Sequence, residues 1–276
     1  TCRRDKPVSY KEYKTYYYFM KNQYESILGT DIWKYNKAVK DKSVGQEAIE
    51  SVLRQIIQVK VIGKEAAIEK VQLATDEKEE ADYRAKTVFD SIPAKDKQTQ
   101  GIELKVLSKI FEENKLAQKM YNVQMGKLKI DYAANTLSAA KVELIYQAAN
   151  AKNKETVKNT MSRILSEVTS SQNSFYTVAK NKTQADAIEY VIGNQDSRTN
   201  LAKAVVSLKK NQTSALIEEK DGFYIAHCIQ TNSAALQQQY RNQLVSEKQT
   251  ESFQKTYKTW SDKFDVKVSK ALLAAN

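Results

Sequence analysis

Leu208-Lys209-Lys210-Asn211-Gln212-Thr213-Ser214, followed eight residues later by Gly222-Phe223-Tyr224-Ile225, decides how this chain is read. The lysines and amides after the apolar run Ala204-Val205-Val206-Ser207-Leu208 mark a helix end and a polar turn. Residues 214–218 then predict a short strand, Asp221-Gly222 a turn, and the β-branched and aromatic run 223–230 a second strand.

Working back from that hairpin, Leu201–Leu208 reads as a helix and Ile188–Ile192 as a strand ending at Gly193. Ser174–Lys180 predicts a short helix. Residues 153–170 predict a longer one, with Val157, Met161, Ile164, Leu165 and Val168 facing inward. Val142–Tyr146 predicts the opening strand. The order β-α-α-β-α-β-β makes one compact α+β domain over 141–231, of ordinary domain size.

The flanks carry a helical period instead. Ser9-Tyr10-Lys11-Glu12 predicts a capping box. Tyr13, Tyr16, Tyr17, Met20, Tyr24, Ile27 and Leu28 follow at helical spacing, Gly29 suits a C-cap, and the next turn carries Trp33. A second helix starts at Ser43 with Ile49, Val52, Leu53, Ile56, Ile57 and Val61, is expected to break near Gly63, and resumes through Ala67, Ile68 and Val71. Another runs from Thr75 to Ile92-Pro93. A polar link with Gly101 leads into a long helix through Val106 to Tyr121. From Ser233 a long helix returns, with Leu236, Tyr240, Leu244, Phe253, Tyr257 and Trp260 near one stripe; Phe264–Val268 predicts a short strand or extended tail.

Composition agrees. The 276 residues are 41% hydrophobic, enough for a core, and hold only 7 glycines and 2 prolines, too few for the turns of an all-β fold. The net charge of +11 permits an anionic membrane surface or cell wall as partner. Basic residues alternate with acids, as in Lys78-Glu79-Glu80, which describes a solvated helix face. No nucleic-acid motif accompanies them, so no nucleic-acid partner is expected. One histidine and two distant cysteines give no ligand cluster, so neither metal nor cofactor is expected. Cys228 sits in an apolar run as a small buried hydrophobe. Cys2, followed by Arg3-Arg4-Asp5-Lys6, looks like the lipid-modified cysteine of a bacterial lipoprotein, which predicts an extracytoplasmic, lipid-anchored chain. No window reaches the ~18 apolar residues of a transmembrane helix.

These segments together resemble the PrsA/SurA family of extracytoplasmic foldases, with a parvulin-type peptidyl-prolyl isomerase domain inserted between helical parts. The parvulin likeness rests on Phe175-Tyr176-Thr177-Val178-Ala179-Lys180, Ala204 to Lys210, and Gly222 to Ile225, which resemble "FaelAkk", "AvfsLkk" and "GyHI". The helical likeness rests on Tyr10 to Trp33, Val52 to Lys60, and Ala67 to Asp76. The resemblance implies a mainly helical chaperone domain from 1–140 and 232–276, an α+β parvulin-like domain over 141–231, and unfolded or nascent secreted polypeptides as partners.

It also implies where isomerase chemistry would sit, and this chain departs there. Leu144 stands where the family has its first histidine and Tyr224 where it has the second. Ala187-Ile188 stand near its acidic or cysteine position, with Asp186 adjacent, and Leu201 near its apolar groove residue. Whether the chain is an enzyme therefore stays open. His227, an odd number of positions from Tyr224 in the same strand, points to the opposite face and cannot replace the missing imidazole. The expected function is a foldase chaperone whose parvulin-like domain has weak or no isomerase activity. Tyr16, Tyr17, Met20, Tyr24 and Trp33 are candidate client-binding residues, because aromatic and methionine surfaces adapt to many peptides. The alternatives are an active isomerase using Tyr224, and a lipoprotein binding the cell wall or another surface.

Overall fold

The computed structural model describes residues 8–35, 43–133, 136–170, 174–265 and 267. The chain forms two compact units, one from Thr1–Leu128 with Glu251–Asn276 and one from Lys129–Thr250. Cys2 lies outside the described residues.

The first unit is helical. Helix α1 (Tyr10–Leu28) begins where the Ser9 hydroxyl accepts from the Glu12 amide, and Gly29 ends it at φ 78°. The capping box is only half present: the Glu12 carboxylate turns inward to Lys60 and Lys109 instead of reaching back to its own backbone. A 3₁₀ turn, Thr30–Lys34, follows. At the next start both halves of the box form, with Ser43 and Gln46 opening helix α2 (Val44–Ile68). The expected break at Gly63 is absent; α2 passes through it, since one glycine costs a helix interior only about 1 kcal/mol and Val61, Ile62 and Ala66 are buried on either side. Helix α3 (Thr75–Ser91) precedes α4 (Ala94–Gln100), which occupies what reads in sequence as a polar link and ends at Gly101 in the left-handed conformation. Helix α5 (Leu104–Gly126) completes the core. Tyr13 and Tyr16 of α1 pack on Val52 and Ile56 of α2 and Ile110 of α5. Further along, Val61, Ile62 and Ala66 meet Met120 and Trp260. Phe264 packs against this cluster; of the rest of the expected terminal strand, Asp265 and Lys267 are not in a strand, and positions 266 and 268 lie outside the described residues.

The second unit is α+β. Strand β1 (Ala139–Ala148), helices α6 (Lys154–Ser170) and α7 (Phe175–Lys182), strand β2 (Glu189–Gly193), helix α8 (Thr199–Ser207), and strands β3 (Ile217–Glu219) and β4 (Gly222–Gln230) follow in that order. All pairs are antiparallel, in the order β2-β1-β4-β3. Strand alternation divides the core. Val142 and Leu144 of β1 and Tyr224, Ala226 and Cys228 of β4 face Leu201 and Val205 of α8. Ile145, Phe223 and Ile225 face Met161, Ile164, Phe175 and Val178 of α6 and α7. Gly222 turns the hairpin at φ 155°, where a Cβ would collide with the Gln147 carbonyl.

This unit extends past 141–231 at both ends. Tyr132, Leu137 and Ala139 cluster with Tyr240 and Leu244 of the last helix, α9 (Ala234–Ser261). The Tyr240 hydroxyl accepts from the Gln195 amide at 3.0 Å. Among the described residues no helix is long and apolar enough to cross a membrane, and no group of three His, Cys, Asp or Glu could hold a metal ion.

Candidate functional site

In the second unit, β1, β4 and α8 bring Leu144, Leu201 and Tyr224 into one apolar cluster. Leu144 is 1% exposed, Leu201 0% and Tyr224 3%, so none presents a surface to a substrate. Strand pairing sets the arrangement: Leu144 is opposite Ala226 and Tyr146 opposite Tyr224.

The Tyr224 ring stacks on Tyr146, with centroids 4.6 Å apart and planes at 25°. The Arg198 guanidinium carbon lies 5.6 Å from the Tyr224 ring centroid. The Tyr224 hydroxyl donates to Asp221 Oδ2 at 2.6 Å. Burial first, then the Asp221 carboxylate, pushes this phenol well above its ordinary value, so it stays protonated at any neutral pH. Arg198 is itself clamped, with Nε and Nη2 donating to the two Asp196 oxygens at 2.9 and 2.7 Å. Burial works to raise the Asp196 carboxyl, but the Arg198 bonds outweigh it and hold it below the ordinary aspartate value. Tyr190, half-buried beside this cluster, donates to Asp186. Ile188 precedes β2, and its carbonyl accepts from the Leu144 amide at 2.8 Å.

His227 faces the other side. Its ring stacks on Phe175 at 5.3 Å, and Nδ1 shares a 2.9 Å hydrogen bond with the Thr213 hydroxyl. Burial lowers its pKa, favouring the neutral ring. The arrangement therefore sets no imidazole beside Tyr224; the one carboxylate its hydroxyl reaches, Asp221, is already engaged by it. It offers a tyrosine–arginine–aspartate stack whose polar atoms already bind one another. Arg198, Asp196 and Tyr146 escaped the sequence reading. The Asp-Ser-Arg spacing at 196–198, in the turn before α8, was the available signal.

The first unit holds the aromatic candidates. Tyr16 is buried, and its hydroxyl accepts from Asn114 Nδ2 at 3.1 Å. Burial pushes its pKa up to about 12. Tyr17 and Met20 are half-buried against the α1–α2–α5 core. Tyr24 stacks on Trp33 at 5.9 Å with planes at 11°, and the indole donates to Glu25 Oε1 at 2.8 Å. Tyr16, Met20 and Tyr24 share an open groove of about 360 Å³ with Phe19 and Phe111; Tyr17 and Trp33 do not line it.

Residues 141–230 match the family model described as Rotamase, PPIC-type PPIase domain, so the second unit carries a peptidyl-prolyl-isomerase-type domain. The chain as a whole is similar to solved structures at low identity. A PpiC-type isomerase domain is 21% identical, covering 37% of this chain and 98% of that one, with a TM-score of 0.33. The PrsA isomerase of Bacillus anthracis is 15% identical, covering 79% and 99%, with a TM-score of 0.43. A SurA-like chaperone of Campylobacter jejuni is 13% identical, covering 87% and 94%, with a TM-score of 0.31. No curated protein sequence matches the chain.

Proposed function

We propose that this chain is an extracytoplasmic foldase of the PrsA/SurA kind, binding unfolded or nascent secreted polypeptides and turning over prolyl bonds weakly or not at all. The helical parts, 1–140 and 232–276, supply the chaperone domain, their inner ends 129–140 and 232–250 belonging to the same compact unit as the parvulin-like module 141–231. Anchoring is through a lipid on Cys2, which places the chaperone at the membrane where secreted chains emerge.

One observation carries the loss of isomerase activity. Leu144, Leu201 and Tyr224 pack into the core at 0–3% exposure, and the Tyr224 hydroxyl is committed to Asp221. Rotation about a prolyl bond has a barrier of about 18–20 kcal/mol set by amide resonance. Lowering it needs an exposed pocket with a polar group aimed at the twisted amide, and a closed leucine–tyrosine core supplies neither. The isomerase-type domain and the aromatic groove support a polypeptide as the partner.

Suppression of aggregation tests the chaperone half. The full chain added to a diluted, denatured model protein should reduce light scattering at comparable molar amounts. Scattering unchanged at a clear molar excess contradicts the reading. Binding to anionic wall polymer that vanishes with salt, without such protection, would favour a surface-binding protein.

A further inference from the structure

Glu143 stands at the centre of a row of polar side chains that crosses the sheet. Strand pairing sets Glu189 of β2 opposite it on one side and His227 of β4 on the other, and Thr213 bridges to His227 beyond. Directly opposite residues of an antiparallel pair share a face, with Cβ atoms about 5 Å apart. The outer members have partners. Glu189 pairs with Lys141 at 2.5 Å. His227 is held at Nδ1 by the Thr213 hydroxyl, and its plane lies within 21° of the Phe175 ring of α7. Glu143 is half-buried, and among the described residues its carboxylate has no hydrogen bond or ion pair.

We propose that Glu143 and His227 form a latch across the β1–β4 pair that closes in mild acid. The neutral imidazole donates its Nδ1 proton to Thr213, which leaves Nε2 as the base. Nε2 takes a proton from solvent, and the new N–H donates to the Glu143 carboxylate. Each group is poorly placed when charged alone. Burial first, then Glu189, raises the Glu143 carboxyl against the pull of Lys141, and burial lowers His227. Charged together they form an opposite pair, which relieves both. The charges acting on Glu143 are those of Glu189 and Lys141; Glu167 of α6, Lys180 and Lys182 of α7 and Arg241 of α9 are not among them, and Tyr240 of α9 is a neutral phenol in this range. Thr213 and Phe175 already hold the ring, so closure costs it little rotamer freedom. The imidazolium also gains attraction from the Phe175 face.

The signs of the two groups differ. His227 alone contributes stability that is complete above the unfolded value near 6.5 and is lost as pH falls through its lowered folded value. Glu143 alone, with its raised folded value, regains stability as pH falls. The latch needs imidazolium and carboxylate together, and their attraction moves the two values apart, so it is populated at about pH 5–6. It supplies a cross-strand bond where a buried, charged His227 would otherwise loosen the sheet.

His227 is the chain's only histidine, so its ring resonances in the full chain are unambiguous. NMR titration should show the parent ring binding its proton about tenfold more tightly than the ring of Glu143→Gln, the equivalent of one pKa unit. Glutamine keeps the shape of the side chain and removes its charge. Glu189→Gln, one strand further from the ring, should change that affinity by less than about threefold. A second reading needs no variant: in the unaltered chain the Glu143 side-chain carboxyl carbon should show a step at the pH where the ring titrates, as coupled sites do. A ring affinity in Glu143→Gln equal to or above the parent's, a loss as large in Glu189→Gln as in Glu143→Gln, or a Glu143 resonance that does not respond to the ring overturns the inference. None of these readings depends on whether the chain is a foldase.

Discussion

Tyr146 and Tyr224 are opposite residues of the β1–β4 pair, and both hydroxyls end on Asp221: Tyr224 donates to its carboxylate at 2.6 Å and Tyr146 to its backbone carbonyl at 3.0 Å. The two rings thus brace the hairpin turn that β4 leaves. A phenol held this way acts as a prop for the sheet, and removing it should register in stability.

Tyr224→Phe should therefore lower stability by about 1 kcal/mol, the usual worth of one hydrogen bond, and Tyr146→Phe by less. The double variant should lose less than the sum, because both act on one turn. Denaturant unfolding of the four proteins checks this.

Restoring a histidine should not open a site. Leu144→His places an imidazole at a 1% exposed position among Val142, Ala226 and Leu201. The polar groups of that face already bind one another, Tyr224 to Asp221 and Tyr190 to Asp186, so burying the imidazole should cost about 2–3 kcal/mol. A variant as stable as the parent would show that the position is an accessible groove.

The inward turn of Glu12 gives a graded prediction. Lys60 Nζ lies 2.5 Å from Glu12 Oε1 and 2.6 Å from Glu113 Oε2, with its side chain 25% exposed. Lys109 also reaches Glu12, at 3.1 Å, but is 56% exposed. Lys60→Met should cost about 2 kcal/mol, below the ~3–5 kcal/mol of stripping a fully buried pair because Lys60 is partly exposed and Lys109 still reaches Glu12, and Lys109→Met under about 1 kcal/mol, as for a solvent-screened pair. Equal losses would contradict the geometry.

Alkaline titration has a definite sign. Burial pushes Tyr16 and Tyr240 up to about 12. A raised phenol stabilises the fold fully below the unfolded value near 10, and that contribution is lost as pH rises through the folded value. Tyrosinate absorption should therefore include a late stage, carried by Tyr16 and Tyr240, that coincides with unfolding. A single stage near 10 would show that the buried phenols are solvated.

Local signals made much of this legible. The helix starts at Ser9 and Ser43 and the order of strands and helices in the second unit follow from capping residues, turn residues and period. Strand alternation was enough to put His227 and Tyr224 on opposite faces. What escaped depends on tertiary contact. Gly63 reads as a breaker until Val61, Ile62 and Ala66 are seen to be buried around it. Glu12 reads as a capping residue until Lys60 arrives from α2. Arg198 reads as a loop residue until Asp196 clamps it beside Tyr224. Of the five aromatic and sulfur side chains chosen on α1 and its following turn, only spatial neighbours tell Tyr16, Met20 and Tyr24, which line the groove, from Tyr17 and Trp33.

Prolyl isomerisation of a proline-containing tetrapeptide tests the central claim most directly. The full chain should accelerate it little or not at all over the uncatalysed rate, and Tyr224→Phe should leave that rate unchanged. Acceleration comparable to an active parvulin, abolished by Tyr224→Phe, would contradict the account and make that phenol a catalytic group.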